Sequence, residues 1–217
     1  MCIKIKICGF TRPEDTLSAC ELGADILGFN FVPQSRRYTN PYAAREMISS
    51  LPPFVTTVGV FADEEAGVVN DLVDFLGLDA VQLHGRESAA YCRKIRTPVI
   101  RAVRVGEAAD LEGLGNYEVA AFLLDAKVPG TLGGSGQTFP WELARDLCRT
   151  RKVFVAGGLS PANVAEAIKT LAPYGVDTAS GVESGPGMKD PGLMGSFIRA
   201  ARMAANYNGG ACGDIPI

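Results

Sequence analysis

Strand-like and helix-like segments alternate along the whole chain, and no other feature restricts its fold as much. Runs with the alternating or apolar character of strands fall at 3–8, 25–31, 56–61, 79–84, 98–104, 120–125, 152–156 and 175–180. Helical patterns lie between them at 12–22, 41–51, 64–76, 87–95, 140–150 and 161–172. A last one covers 191–205, and a weaker one 106–116. Eight strand–helix units in 217 residues is the arithmetic of a single-domain α/β protein, a trimmed (β/α)8 TIM barrel. A doubly wound open sheet is the structural alternative. No linker or shift in composition divides the chain. The barrel is expected over 1–207, with 208–217 a loose, glycine-containing tail.

Several segment ends carry recognisable chemistry. Thr11-Arg12-Pro13-Glu14 has the form of a capping box. Asn40-Pro41, Ser160-Pro161 and Asp190-Pro191 each place proline at a first helical position after a capping side chain. Gly23-Ala24-Asp25, Gly77-Leu78-Asp79 and Gly175-Val176-Asp177 recur between a helix and a strand, where glycine suits a left-handed helix end. A net charge of −3 gives no excess of positive charge for nucleic acid. No apolar run is long enough to cross a membrane, and Met1-Cys2-Ile3-Lys4 does not open a signal peptide. The six cysteines form no CxxC pair and fit no zinc spacing. They read as reduced thiols of a cytoplasmic protein, and no metal is expected.

The candidate chemistry gathers at the carboxyl ends of the strands, where barrels carry their active sites. Cys8 closes the alternating run Ile3-Lys4-Ile5-Lys6-Ile7-Cys8, with Gly9 directly after it. By the period of two, Lys4, Lys6 and Cys8 share one face, which puts Lys6 inside the barrel one layer below the thiol. The first and last strands of a closed barrel are neighbours, so Asp177 is the natural partner of Lys6. Gln82 and His84 share a face in the same way, as do Arg101 and Val103; an internal ion-pair network without chemistry fits Lys6 and Arg101 equally well, and fits Gln82 better. Asp125 ends an apolar strand, and a carboxyl partly desolvated by such neighbours suits a general acid. His84, the sole histidine, also reaches the mouth, where a hydrogen-bonding role is at least as natural as a base. In Ser35-Arg36-Arg37-Tyr38, two arginines after the second strand suit a carboxylate. Glycine-rich loops follow the last three strands: Gly133-Gly134-Ser135-Gly136, Ala156-Gly157-Gly158-Leu159-Ser160 and Ser180-Gly181-Val182-Glu183. Such loops let backbone amides approach a phosphate.

Taken in order, Lys6-Ile7-Cys8-Gly9, Ser35-Arg36-Arg37-Tyr38, Gln82-Leu83-His84-Gly85, Leu124-Asp125 and the three glycine loops resemble the phosphoribosylanthranilate isomerase family of tryptophan biosynthesis. The resemblance runs from residue 3 to about 200. It departs at Phe10, where isoleucine or leucine is usual, and at Ala179, where serine is common. It implies a cytoplasmic isomerase that converts N-(5-phosphoribosyl)anthranilate to 1-(2-carboxyphenylamino)-1-deoxyribulose 5-phosphate by an Amadori rearrangement. By matching motifs, Cys8 resembles the general base, Asp125 the general acid and Arg37 the contact for the anthranilate carboxylate. Further substrate contacts are then expected at His84, Gly134, Ser135, Gly136, Gly157, Gly158, Asp177, Ser180 and Gly181. No cofactor is implied, because the iminium nitrogen of the opened substrate is its own electron sink. The only partner implied is a small phosphorylated substrate, and a monomer and a homodimer both fit. Two other readings are an isomerase of the histidine pathway or of both pathways, and a non-catalytic phosphoribosyl-binding barrel. Cysteine at position 8 argues against the first, because those enzymes resemble an aspartate pair. The presence of both an acid and a base argues against the second.

Overall fold

The computed structural model describes residues 3–127 and 138–207. Eight parallel strands close into a barrel: β1 (Lys4–Cys8), β2 (Ile26–Asn30), β3 (Thr56–Phe61), β4 (Ala80–Leu83), β5 (Val99–Val105), β6 (Ala121–Ala126), β7 (Val153–Val155) and β8 (Gly175–Thr178). Each strand pairs with the next, and β8 pairs with β1. Helices α1 (Pro13–Glu21), α2 (Pro41–Ser49), α3 (Ala66–Leu76), α4 (Ala89–Cys92), α5 (Arg145–Thr150), α6 (Val164–Leu171) and α7 (Pro191–Tyr207) surround it. Among the described residues, no helix is long and apolar enough to cross a membrane.

The period of two sorts each strand between two cores. On β6, Ala121 and Leu123 point into the barrel with Ile26, Val58, Ala80, Ile100 and Phe154. Phe122, Leu124 and Ala126 face the helices instead. Ring and gap match inside the barrel: Phe154 pairs with Gly175 in register, and its ring occupies the space that a Gly175 side chain would need. One layer higher, Lys6 pairs in register with Asp177, and its Nζ lies 2.8 Å from Oδ1. The lysine is fully buried, so its charge depends on that carboxylate.

Two members of the Gly-x-Asp recurrence close strands from below. Gly23 and Gly77 take positive φ, at 93° and 68°. Asp25 accepts from the Ile5 amide at 2.7 Å, and Asp79 from the Thr57 amide at 2.7 Å. Asp177 differs because it lies inside β8 rather than before it, and it turns inward to Lys6.

Four local expectations give way to competing contacts. The Thr11 hydroxyl donates to the Gly187 carbonyl at 2.6 Å, so Arg12 rather than Thr11 precedes α1, with no capping hydrogen bond. Residues 160–163 form a turn before α6, because the Asn163 side chain accepts from the Ser160 amide at 2.8 Å and donates to the Gly158 carbonyl at 3.0 Å. The segment 106–116 makes two 3-10 turns, separated near left-handed Gly113 (φ 73°). Arg101 faces the helices, donates to the carbonyls of Leu83, Gly85 and Ala102, and lies 3.3 Å from Glu87. It is no part of the barrel's internal polar layer.

Replacing Lys6 by methionine strands a buried carboxylate and is expected to lower urea-unfolding stability by about 3–5 kcal/mol. The double variant Lys6→Met/Asp177→Leu should recover most of that loss. Burial alone would lower the Lys6 pKa, but Asp177 and then Cys8 outweigh it and push it up to about 12 from 10.5. Its contribution to stability is therefore complete below pH 10.5 and lost as the pH rises through about 12. The stability of wild type relative to the double variant should fall across that window. A single variant as stable as wild type would contradict this account.

Candidate active site

Cys8 ends β1 on its inward face, directly above Lys6 and 8% exposed. Its register partner on β2 is Gly28. A Cβ at Gly28 would lie 2.7 Å from the Cys8 Sγ and 3.1 Å from the Lys6 Nζ. Thiol and ammonium thus share the gap that this glycine leaves. The next residue, Gly9, adopts φ 85°, and the stem of Arg37 crosses the space that a side chain there would fill. Glycine is required at position 9 for both reasons.

Asp125 ends the inward face of β6, two strands beyond β8 around the ring from Cys8. Its Oδ1 accepts from the Ala126 amide at 2.9 Å. Its Oδ2 lies 3.4 Å from the His84 Nε2. The other ring nitrogen of His84, Nδ1, sits 3.0 Å from the Gln82 side-chain nitrogen. With that amide as donor, Nδ1 accepts and the ring proton resides on Nε2, facing Asp125. Gly157, at φ 77°, leaves room for this carboxyl: a Cβ there would lie 3.1 Å from Oδ1.

Gly157 and Gly158 (φ 63°) are both left-handed, and neither backbone amide has a hydrogen-bond partner among the described residues. The loop after β8 closes against them. Thr178 donates to the Leu159 carbonyl at 2.7 Å, and Gly181 lies so near that carbonyl that a Cβ would overlap it. Ser180 and Gly181 form one 3-10 turn there. Gly134, Ser135 and Gly136 lie outside the described residues.

The same loop continues as a hairpin of β9 (Glu183–Gly185) and β10 (Met188–Lys189). Glu183 receives a two-pronged contact from Arg37, with Nε and Nη2 each 2.7 Å from a carboxylate oxygen. Lys189, fully buried, donates to Glu183 at 2.8 Å, to the Cys8 carbonyl at 2.6 Å and to the Ala179 carbonyl at 3.1 Å. The ring of Phe10 lies 5.7 Å beneath the ammonium. Hydrogen bonding to Glu183 raises the Arg37 pKa. Burial would raise that of Glu183, but Arg37 and Lys189 outweigh it and bring it down. Burial also depresses Lys189, against the pull of Glu183.

The fold therefore brings Cys8, Asp125, His84, Arg37, Gly157, Gly158, Ser180 and Gly181 to one mouth. Asp177 lies below it, engaged by Lys6. The motif reading missed two residues. Lys189 has no motif of its own and reaches Cys8 only through the hairpin. Arg104 carries the parity of Ile100 and Ala102, which point inward, and stands in register with Asp125. It is half-buried and has no ion-pair partner among the described residues. Among those residues, no group of three or more histidine, cysteine or acidic side chains is placed to hold a metal ion.

Comparison with known proteins meets this geometry. The family model described as N-(5′-phosphoribosyl)anthranilate isomerase matches residues 5–200. A relative from Citrifermentans bemidjiense named N-(5′-phosphoribosyl)anthranilate isomerase is 48% identical over 202 residues, covering 93% of this chain and 98% of its own. The crystal structure of phosphoribosyl anthranilate isomerase from Thermotoga maritima superposes with a TM-score of 0.88 at 44% identity, over 93% of this chain and 99% of that one. A solved phosphoribosyl anthranilate isomerase in complex with reduced 1-(o-carboxyphenylamino)-1-deoxyribulose 5-phosphate matches with a TM-score of 0.84 at 41% identity, over 93% and 99% of the two chains. With a matching family model across nearly the whole barrel and relatives close to half identical, this chain belongs to the N-(5′-phosphoribosyl)anthranilate isomerase family.

Proposed function

We propose that this protein isomerises N-(5′-phosphoribosyl)anthranilate to 1-(2-carboxyphenylamino)-1-deoxyribulose 5-phosphate, with Cys8 as general base and Asp125 as general acid. One observation carries the reading: a thiol and a carboxyl stand at the ends of two inward strand faces of one mouth, with the two described glycine loops between them around the ring. Family membership supports the substrate.

The chemistry follows from those positions. Protonated Asp125 gives its proton to the furanose ring oxygen as the C1′–O4′ bond breaks. The anilino nitrogen supplies the electron pair that makes the C1′=N iminium. Cys8, as thiolate, takes the proton from C2′. The electrons of that bond form C1′=C2′, and the iminium pair returns to nitrogen. The resulting enolamine takes a proton at C1′ and loses one from the C2′ hydroxyl, which leaves the ketone. His84 faces Asp125, its Nε2 3.4 Å from Oδ2 with no hydrogen bond between them. The amides of Gly157 and Gly158, without partners among the described residues, and the turn at Ser180 and Gly181 suit the phosphate. Arg37 faces the anthranilate carboxylate. The ligand is thus a small phosphorylated molecule, and the reaction is of the aldose–ketose isomerase class.

Purified protein should convert the substrate with loss of its anthranilate fluorescence, and absence of conversion would overturn the function. Cys8→Ser should lower kcat by about 100-fold or more, because a hydroxyl is a far weaker base. Product-analogue affinity should stay near wild type, and near-normal turnover would remove Cys8 from the mechanism. Asp125→Asn keeps the shape but cannot donate its proton, so kcat should also fall by about 100-fold or more with an unchanged melting temperature. Full activity in that variant would leave Asp125 only its contact to the Ala126 amide.

A further inference from the structure

The hairpin after β8 holds more charge than barrel packing requires. Arg37 and Lys189 are two cations on one carboxylate, Glu183, so the triad carries one net positive charge beside Cys8. The remaining partners of Lys189 are neutral carbonyls, those of Cys8 and Ala179. All three Lys189 protons have acceptors and its side chain is 0% exposed, so it cannot meet a ligand. Arg37 is 18% exposed, and its Nη1 has no hydrogen-bond partner among the described residues. The uncompensated charge can reach an anion only through that edge of the guanidinium.

We propose that Glu183, anchored by Lys189, is a positioning residue that fixes the Arg37 fork so that its free edge meets the substrate carboxylate. The β9–β10 hairpin thereby sets the enzyme's preference for an ortho-carboxylated aniline. The inference rests on Arg37 as the carboxylate contact in the reaction above. Three constraints hold the arginine. Its stem crosses Gly9, its backbone amide donates to Ser35 Oγ at 3.1 Å, and its Nε and Nη2 are both taken by Glu183. A guanidinium held on one edge presents the other in a fixed plane, which suits a planar carboxylate. The carboxylate is therefore read by an arginine that is already ordered, and little side-chain entropy is lost on binding. The lysine that anchors Glu183 also holds the Cys8 carbonyl, so one hairpin sets both the carboxylate clamp and the strand end that carries the thiol.

The test compares two ligands: the reduced product analogue 1-(2-carboxyphenylamino)-1-deoxyribulose 5-phosphate and the same anilino compound without the carboxylate. Binding is measured by calorimetry on wild type and on Glu183→Gln. Wild type should favour the carboxylated ligand by roughly 10-fold or more, as for a charged hydrogen bond. In Glu183→Gln that preference should fall to within about threefold of unity, while affinity for the ligand lacking the carboxylate stays unchanged. A purely structural role would weaken both ligands together, and that result overturns the proposal. A preference kept at its wild-type value, or absent from wild type itself, overturns it as well. Should Glu183→Gln fail to fold, Glu183→Asp keeps the charge but draws it back by one methylene, and the preference should again fall; an unchanged preference contradicts the proposal. Failure of wild type to turn over the substrate counts against the function instead, since these affinities are read without turnover.

Discussion

The pairing of β8 with β1 closes the ring, and inside that seam lies the buried ion pair Lys6–Asp177. A buried pair of this kind adds little net stability over apolar residues, but it is costly to break. Its consequence here is register. A slip of one residue along the seam would turn Lys6 toward the helices and bring Ile5 or Ile7 inside. The mouth depends on this register, because Cys8 stands on the same face two residues above Lys6.

Above the seam a second, separate network holds the rim. Lys189, Glu183 and Arg37 join the loop after β8 to the end of β1 and to the loop after β2. Arg12 and Asp15 fasten the same hairpin from the start of α1, with Asp15 accepting from the Lys189 amide at 2.9 Å. The division matters for charge. The inner pair is neutral as a unit, whereas the rim triad is positive by one. The triad therefore adds anion attraction at the rim, alongside Arg104 and the Gly157 and Gly158 amides, while Lys6 contributes mainly by filling and registering the barrel. The sequence places Lys6 beside Cys8 on parity alone; the charge that meets a ligand is presented by Arg37, and the hairpin that braces it has no strand pattern to reveal it.

The fold was largely legible because barrel strands declare themselves by short-range alternation, and all eight lie where the pattern puts them. Lys6 and Asp177 could be paired from closure alone. Arg101 could not be placed so simply. Its strand carries arginine on both faces, and the inward one is Arg104, which the Ile100–Ala102 face identifies only once β5 is set in the sheet. The cap pattern failed at Thr11, whose hydroxyl donates to the Gly187 carbonyl, and at Ser160 the hydroxyl accepts from the Ala162 amide at 3.3 Å but caps a turn that ends before α6. Lys189 was illegible for a related reason: its Cys8 contact spans 181 positions and has no periodic signature. Of the candidate site, the residues at strand ends could be read, while those that brace them through loops could not.

The reaction turns on removal of a proton from C2′ by a group at the mouth. Turnover of N-(5′-phosphoribosyl)anthranilate in deuterium oxide tests it most directly, with the product examined by proton NMR. Protonation of an enolamine predicts one deuteron at C1′ of the product. Complete retention of the C2′ hydrogen at C1′ with no solvent deuterium, the outcome of direct hydride transfer, would contradict the assignment of Cys8 as an exchanging base.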